Sequence, residues 1–176
     1  MTALPIANEG VRSRVVSWSD PARTRFHLRG RDGIDQLKAF VKGDVAPVPA
    51  AALLGMEITE VERGRVVFEL VADEIHENPM GTMHGGIVAT LVDSAMGCAV
   101  ASMLPADATY TTLELKTNYV RPIVQTTGRI RAIGSVVHIG GRVATTEAQV
   151  VGPDGTLYAH ASSTCLVTRP AKGAVR

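Results

Sequence analysis

One carboxylate stands in an otherwise apolar stretch of the chain, and it is the first candidate for chemistry. Asp93 is the only charged residue between Ile87 and Leu104. An ionised carboxylate among aliphatic side chains is costly unless it is paired or used. The residues one or two turns away from Asp93 on the same helix face are mostly small, with Gly86 on one side and Gly97 on the other. This predicts a shallow recess beside the carboxylate. This favours an acid–base site; the alternative is a structural carboxylate that caps a loop or binds a strand arginine.

A histidine and two glycines stand where this apolar stretch begins, at His84, Gly85 and Gly86. If a helix starts there, the free N–H groups of its first turn and the positive end of its dipole can face a developing oxyanion. The glycines would allow a substrate to approach closely. The alternative is a tight turn in which His84 only orients the loop.

The spacing between these two features has a geometric consequence. Asp93 lies seven or eight residues beyond the glycines, which is roughly 10 to 12 Å along a helix axis. One helix therefore cannot bring both groups to a single carbonyl carbon. If both act on the same atom, each meets its counterpart from another copy of the chain, and the site straddles a two-fold interface.

The elements that must position these residues follow from periodicity and turn signals. We expect a buried helix from Gly85 to Leu104, closed by Pro105, and a hairpin before it. The predicted strands are Met56–Glu62, Arg65–Val71, Tyr110–Val120, Gly128–Ile139, Arg142–Val151 and Thr156–Thr168, with a turn at Gly152–Gly155 in the last hairpin. This order predicts an α+β fold in which one antiparallel sheet wraps around one central helix, because a helix that is apolar on all sides must be covered on all sides.

The first fifty residues are less patterned and rich in arginine and lysine. A short amphipathic helix is predicted from Asp32 to Lys42, with Gly43 as its stop, followed by an extended linker at Pro47 and Pro49. We therefore divide the chain into an N-terminal extension (1–50), a main domain (51–170) and a C-terminal tail (171–176).

Composition excludes several classes of function. The chain has 176 residues and a net charge of +1 from 18 basic and 17 acidic residues, too small for a protein that binds nucleic acid by neutralising phosphates. The two cysteines and five histidines show no metal-ligand spacing, so neither a metal nor another cofactor is expected. The N-terminus lacks a signal-peptide stretch and the apolar helix is a poor membrane span, which predicts a cytoplasmic protein with no membrane partner.

Two segments carry a resemblance to a known family: Asn78-Pro-Met-Gly-Thr-Met-His-Gly-Gly-Ile-Val-Ala-Thr-Leu-Val-Asp93, and Tyr110-Thr-Thr-Leu-Glu-Leu-Lys-Thr-Asn-Tyr-Val-Arg-Pro122. They resemble the hotdog-fold acyl-CoA thioesterases of the PaaI-like (phenylacetate-degradation) type. The similarity covers about Leu53 to Thr168. It implies the hotdog fold, a curved antiparallel sheet around one buried helix, with two copies pairing into a continuous sheet. A homodimer is then the minimal active unit, and a dimer of dimers, a homotetramer, is expected.

The resemblance also implies roles for matching positions. Asp93 corresponds to the general base or nucleophile, and the Gly85 N–H to the group that polarises the thioester carbonyl. Asn78 would orient the water or the leaving group, and Thr112 matches a hydroxyl that assists the water in some members. Other members carry a hydroxyl residue where this chain has Gly97. From the residues alone, Asn78 is equally well a turn residue before a proline, and Thr112 an ordinary strand threonine.

For the CoA moiety, the resemblance implies a path along the strand that begins at Gly140, Gly141 and Arg142, with Tyr119 nearby. Arg142 could bind phosphate, and Arg121 is a weaker candidate of the same kind. The alternative is a β-turn with a solvated arginine.

The sequence thus predicts an acyl-CoA thioesterase that hydrolyses its substrate to a carboxylic acid and CoA. Two alternatives remain open, a non-catalytic acyl-CoA sensor on the same fold and a hotdog enoyl-CoA hydratase in which His84 would pair with an acid. Aromatic, short and medium acyl chains all remain possible.

Overall fold

A six-stranded antiparallel sheet holds one long helix in its concave face, in a computed structural model that describes residues 10–169. The elements in chain order are α1 (Pro21–Leu28), α2 (Gly33–Val41), α3 (Pro49–Leu54), β1 (Glu57–Glu62), β2 (Arg65–Val71), α4 (Gly85–Ala101), β3 (Thr109–Tyr119), β4 (Arg129–Ile139), β5 (Val143–Val151) and β6 (Leu157–Thr168), with short 3-10 helices at Glu74–His76 and Gln125–Thr127. The predicted tail at 171–176 and most of the N-terminal segment that was predicted to lack a signal peptide lie outside the described residues.

The sheet order is β1-β2-β4-β5-β6-β3, with every neighbouring pair antiparallel. The predicted hairpin before the helix and the four strands after it are confirmed. The predicted turn in the last hairpin is also present, where the Gly155 N–H donates to the Gly152 carbonyl at 3.0 Å. Burial alternates along β5 with a period of two, so one face of the strand meets the core and the other faces outward.

The core lies between the sheet and α4, whose apolar residues recur at helical spacing. Leu91, Val92, Ala95 and Met96 are completely buried. The helix crosses β4 so closely that a Cβ on Gly134 would lie 2.4 Å from the carbonyl carbon of Ala95. A larger residue at this strand position would push the helix away from the sheet, so the glycine fixes the height of α4 above it.

The prediction that α4 is covered on all sides is wrong for a single chain. Gly86, Thr90, Asp93, Ser94 and Cys98 are not fully buried, and together they form one stripe along the helix, which we call the open stripe. The sheet covers the opposite face, because a curved sheet reaches around only part of a helix. The open stripe carries most of the polar side chains of α4.

The N-terminal extension contains the predicted helix, α2, and two helices that were not predicted. α1 starts with Asp20, whose carboxylate accepts from the Ala22 N–H at 2.9 Å, and Pro21 occupies its first turn. α3 replaces part of the predicted extended linker, because Pro49 also suits the first position of a helix. α3 crosses the predicted boundary between residues 50 and 51, and the division into an extension and a main domain stays a prediction.

None of the helices in the described part of the chain is long and apolar enough to cross a bilayer.

Candidate functional site

The carboxylate of Asp93 is held by a neighbouring strand. The Thr112 hydroxyl on β3 donates to Asp93 Oδ1 at 2.9 Å. The pairing of β3 with β6 shifts register between Thr112 and Glu114, and this bulge directly follows the threonine. Bulges re-aim side chains next to functional sites. The hydroxyl therefore fixes one carboxylate oxygen and leaves the other, Oδ2, available for a second partner.

Asp93 has no cationic partner among the residues that the structure describes. Within residues 10–169, the five ion pairs involve Glu60, Glu69 and Glu74 with their arginines, and none includes Asp93. Within the described chain, no strand arginine therefore neutralises this carboxylate. The side chain is partly exposed in a single chain, where the sequence predicted full burial.

The small residues beside Asp93 do not all form the predicted recess. Gly97 is covered by the ring of Tyr110 on β3, and a Cβ on the glycine would lie 2.6 Å from the tyrosine oxygen. Gly97 is thus required by the close packing of this ring on α4. Burial raises the pKa of Tyr110 far above its ordinary value, so the phenol stays neutral. No sequence signal pairs these two residues, because their contact depends on how β3 crosses the helix.

The start of α4 presents one free amide. His84 is the N-cap, and its Nδ1 accepts from the Gly86 N–H at 2.9 Å. This occupies the Gly86 amide, so the prediction of several free N–H groups in the first turn is corrected. Among residues 10–169 the Gly85 N–H has no hydrogen-bond acceptor. A single unpaired donor thus stands at the positive end of the helix dipole.

Tyr119 lies directly over this helix start. Its hydroxyl donates to the Gly85 carbonyl at 2.9 Å, and a Cβ on Gly85 would lie 3.1 Å from the ring. The structure therefore brings Gly85 and Tyr119 into contact, which the sequence did not predict. The glycine leaves just enough room for the ring.

Asn78 organises the loop before α4. Its Oδ1 accepts from the Met80 N–H at 2.8 Å, and its Nδ2 donates to the Thr82 hydroxyl at 2.9 Å. The side chain thus acts as a turn residue, as one of the two predicted alternatives has it. The second N–H of its amide has no acceptor within residues 10–169.

A pocket of about 400 Å³ brings several predicted residues together. Asn78, Gly85, Tyr119 and Arg121 all line it. The Arg121 guanidinium is anchored by donating to the Leu157 carbonyl at 2.7 Å. Asp93 does not line this pocket, as expected for a residue eight positions further along α4, roughly 12 Å from Gly85 along the axis.

The predicted CoA-binding residues fall into two separate places in one chain. Tyr119 pairs with Ala159 on β6, whereas Val143, which follows Arg142, pairs with Leu166. Seven residues along a strand span roughly 23 Å. Tyr119 is therefore not near the β4–β5 turn of its own chain, so the predicted proximity to Arg142 would require two chains. In that turn Arg142 is exposed. The carbonyls of Gly140 and Gly141 accept from Arg169.

Neither cysteine is a suitable nucleophile. Burial raises the pKa of Cys98 to about 12 and also raises that of Cys165, so both thiols stay protonated near neutral pH. Both are free thiols. In the described part of the chain, no group of three His, Cys, Asp or Glu side chains is arranged to hold a metal ion.

The fold and this site define a class of hydrolases, as comparison with known proteins shows. The sequence model of the thioesterase superfamily matches residues 80–159. A Halobacterium salinarum protein named as a candidate esterase is 33% identical over 127 residues, which cover 69% of this chain and 82% of that protein. A Listeria monocytogenes 1,4-dihydroxy-2-naphthoyl-CoA hydrolase is 31% identical over 88 residues, which cover 49% of this chain and 69% of that enzyme.

A solved structure extends the likeness to the fold. A Ralstonia eutropha protein, described as a candidate thioesterase related to phenylacetic acid degradation, superposes with a TM-score of 0.65 at 29% identity. The match covers 74% of this chain and 98% of that protein. The chain belongs to the thioesterase superfamily and has the hotdog fold, which confirms the family and the architecture predicted from the sequence. It is a hydrolase of this class.

Proposed function

We propose that the protein is an acyl-CoA thioesterase in which Asp93 activates the attacking water. The observation that carries this proposal is a carboxylate held by the Thr112 hydroxyl at 2.9 Å and without a cation beside it in the described chain. Such a group can accept a proton, because neither a guanidinium nor an ammonium ion ties up its second oxygen. The CoA substrate is also supported by a relative that is named as an acyl-CoA hydrolase.

The reaction needs a base, a positioned water and a donor for the oxyanion. Water attacks the thioester carbon while its proton passes to Asp93 Oδ2. The negative charge that develops on the carbonyl oxygen is stabilised by the Gly85 N–H and the helix dipole. The tetrahedral intermediate then expels the CoA thiolate, which takes up the proton, and a carboxylic acid and CoA are released. A direct attack by the Asp93 carboxylate on the thioester is the alternative, and it differs in forming an anhydride.

The separation of Asp93 from Gly85 along α4 supports a site built by two copies of the chain. β3 is an edge strand of 11 residues, so its outer N–H and C=O groups are free to pair with a second β3. Leu113, on this edge, is 59% exposed. The open stripe of α4 lies on the same side as Thr112. We propose a homodimer in which β3 pairs with its copy and Asp93 of one protomer faces Gly85 of the other, with a dimer of dimers as the larger assembly.

The CoA moiety is proposed to lie near the pocket at the start of α4. Tyr119 and Arg121 line this pocket, and Gly86 borders the helix start. In the dimer, Gly140, Gly141 and Arg142 would come from the other protomer, because they lie at the far end of the sheet. Asn78 would contact the leaving group or the water through its remaining N–H. The cytoplasmic location stays a prediction.

Thiol release from a panel of acyl-CoAs tests the proposal, with the native protein and Asp93→Asn compared at equal concentration. General-base catalysis contributes about 10²–10⁴-fold, and we expect a loss in kcat of that order. Asp93→Asn keeps the shape and can still accept from Thr112, so binding should change little. Equal rates in both proteins would remove Asp93 from the mechanism.

The two alternatives predict different results in the same experiment. A non-catalytic sensor would bind acyl-CoA without thiol release by the native protein. A hydratase would add water to an enoyl-CoA, which is followed by loss of the enoyl absorbance without thiol release.

A further inference from the structure

A second cavity lies between the N-terminal extension and the sheet, away from the pocket at the start of α4. Its volume is about 350 Å³. Its walls are almost entirely apolar and include Phe40, Val45, Val48, Met56, Phe68 and Cys98. Cavities of this size, apolar and with few polar groups, are typical of small-molecule sites.

The outer wall of this cavity is firmly fixed to the main domain. The Gly33 N–H donates to the Leu104 carbonyl at 3.0 Å, and the Ala106 N–H donates to Asp32 at 2.9 Å. A Cβ on Gly33 would lie 1.9 Å from the Ala101 carbonyl oxygen, so α2 sits directly on the end of α4. Leu37 is part of the hydrophobic core. The part of the cavity wall that α2 provides is therefore fixed to the main domain.

The cavity reaches the helix that carries the proposed base. Cys98 lines the cavity and belongs to the open stripe of α4, as Asp93 does. Five residues separate them, which is about 7.5 Å along the helix axis and roughly 140° around it. Ser94, the next residue after Asp93, lies one turn before Cys98 on the same face of α4. The Tyr110 ring covers Gly97, one turn beyond Asp93, so an acyl chain that starts at the carbon attacked near Asp93 would pass Ser94 to reach the cavity at Cys98.

The lining decides what kind of group fits. Among the lining side chains of the described chain, Glu57 is the one charged group, and it is exposed. The Cys98 thiol, whose pKa burial raises to about 12, stays neutral. The lining has no hydroxyl or amide side chain to pair with a phenol, and an unpaired buried hydroxyl is costly. The cavity therefore favours an unsubstituted aliphatic chain over a hydroxylated ring.

We infer that this cavity receives the aliphatic acyl chain of the substrate, with the N-terminal extension as its outer wall. The inference rests on the proposed thioesterase function and adds the substrate class to it. It also gives the extension a role. The superfamily model matches residues 80–159, whereas the cavity wall built by α2 and the segment that follows it lies before that range. The preference for a particular acyl-chain length would then be set by a part of the protein outside the region that the superfamily model matches.

Binding of non-hydrolysable thioethers tests the inference without requiring turnover. Calorimetry would compare S-ethyl-CoA, S-decyl-CoA and S-(4-hydroxybenzyl)-CoA on the full-length protein. We expect S-decyl-CoA to bind at least tenfold more tightly than either of the other two. Val45→Trp, which fills the cavity, should weaken S-decyl-CoA at least tenfold and change S-ethyl-CoA less than twofold.

Two further variants keep the test decisive. Val48→Trp fills the cavity from another side and replaces Val45→Trp if that variant does not fold. Leu53→Trp is the matched control. Leu53 is 58% exposed, close to the 47% of Val48, but it does not line the cavity. The control should bind all three ligands as the native protein does.

The outcomes separate this inference from the proposed function. Equal affinity for the ethyl and decyl compounds, preferred binding of the hydroxybenzyl compound, or an unchanged chain-length preference in both cavity variants would overturn it. If the chain-length preference holds but decanoyl-CoA is not hydrolysed, the cavity assignment stands and the thioesterase proposal fails.

Discussion

Replacing Gly85 by proline removes one atom group that the mechanism requires, the amide hydrogen at the start of α4. The site tolerates proline, because it is the first residue of the helix and its N–H has no acceptor within residues 10–169. The preceding residue, His84, has φ −61° and ψ 131°, the extended conformation that proline prefers before it. Gly85→Pro therefore changes the donor with little change to the helix.

Gly85→Ala is the matched control, since it adds a Cβ but keeps the N–H. That Cβ meets the Tyr119 ring at 3.1 Å, so the ring must move by a few tenths of an ångström in both variants. Loss of one oxyanion donor typically lowers kcat by about 10²–10³, or roughly 3 to 4 kcal/mol of transition-state stabilisation. We expect that loss for Gly85→Pro and less than a tenfold loss for Gly85→Ala.

Steady-state kinetics with the best acyl-CoA of the panel measures both effects, with circular dichroism as the check on folding. A folded Gly85→Pro enzyme with the kcat of Gly85→Ala would refute the assignment of this amide to the oxyanion. Equal large losses in both variants would instead attribute the defect to the displaced tyrosine.

Three further outcomes follow from the contacts. Thr112→Val removes the hydroxyl that orients the carboxylate, and kcat should fall about tenfold at nearly constant KM; an unchanged kcat would contradict this. Gly97→Ala places a methyl group 2.6 Å from the Tyr110 ring. The overpacking costs about 1–3 kcal/mol, which should exceed the gain of about 1 kcal/mol in helix propensity. A thermal melt should therefore show a Tm lower by a few degrees. The hydrogen bond from Arg65 lowers the pKa of Glu60 below its ordinary 4.5, so stability present above pH 4.5 should be lost as the pH falls through the lowered value, and less so in Glu60→Gln.

The elements of the hotdog domain could be predicted because each has a local signal. α4 is a long apolar run that ends before a proline. The strands are β-prone runs that are bounded by turn residues. Gly152 to Gly155 contain the proline and glycine that such a turn needs. α1 escaped prediction because it lacks an apolar periodicity, although Asp20 and Pro21 are a helix start that the sequence displays.

The candidate site could be predicted residue by residue but not contact by contact. Asp93 was identified from its cost in apolar surroundings, and the helix start from its glycines. That the Gly86 amide is occupied depends on the rotamer of His84. The space beside Gly97 is filled by the Tyr110 ring, which depends on the path of β3. The distance from Tyr119 to Arg142 depends on strand register. None of these has a signal within a short stretch of sequence.

Hybrid dimers test the central claim most directly, which is that each site takes Asp93 from one protomer and Gly85 from the other. Asp93→Asn and Gly85→Pro chains with different affinity tags are co-expressed, and the hybrid carrying both tags is purified. The two-copy arrangement predicts that one of its two sites contains both intact groups, so the hybrid should regain about half the native activity per dimer, while each parent homodimer stays nearly inactive. A hybrid as inactive as its parents, despite being folded and dimeric, would mean that both groups act within a single chain.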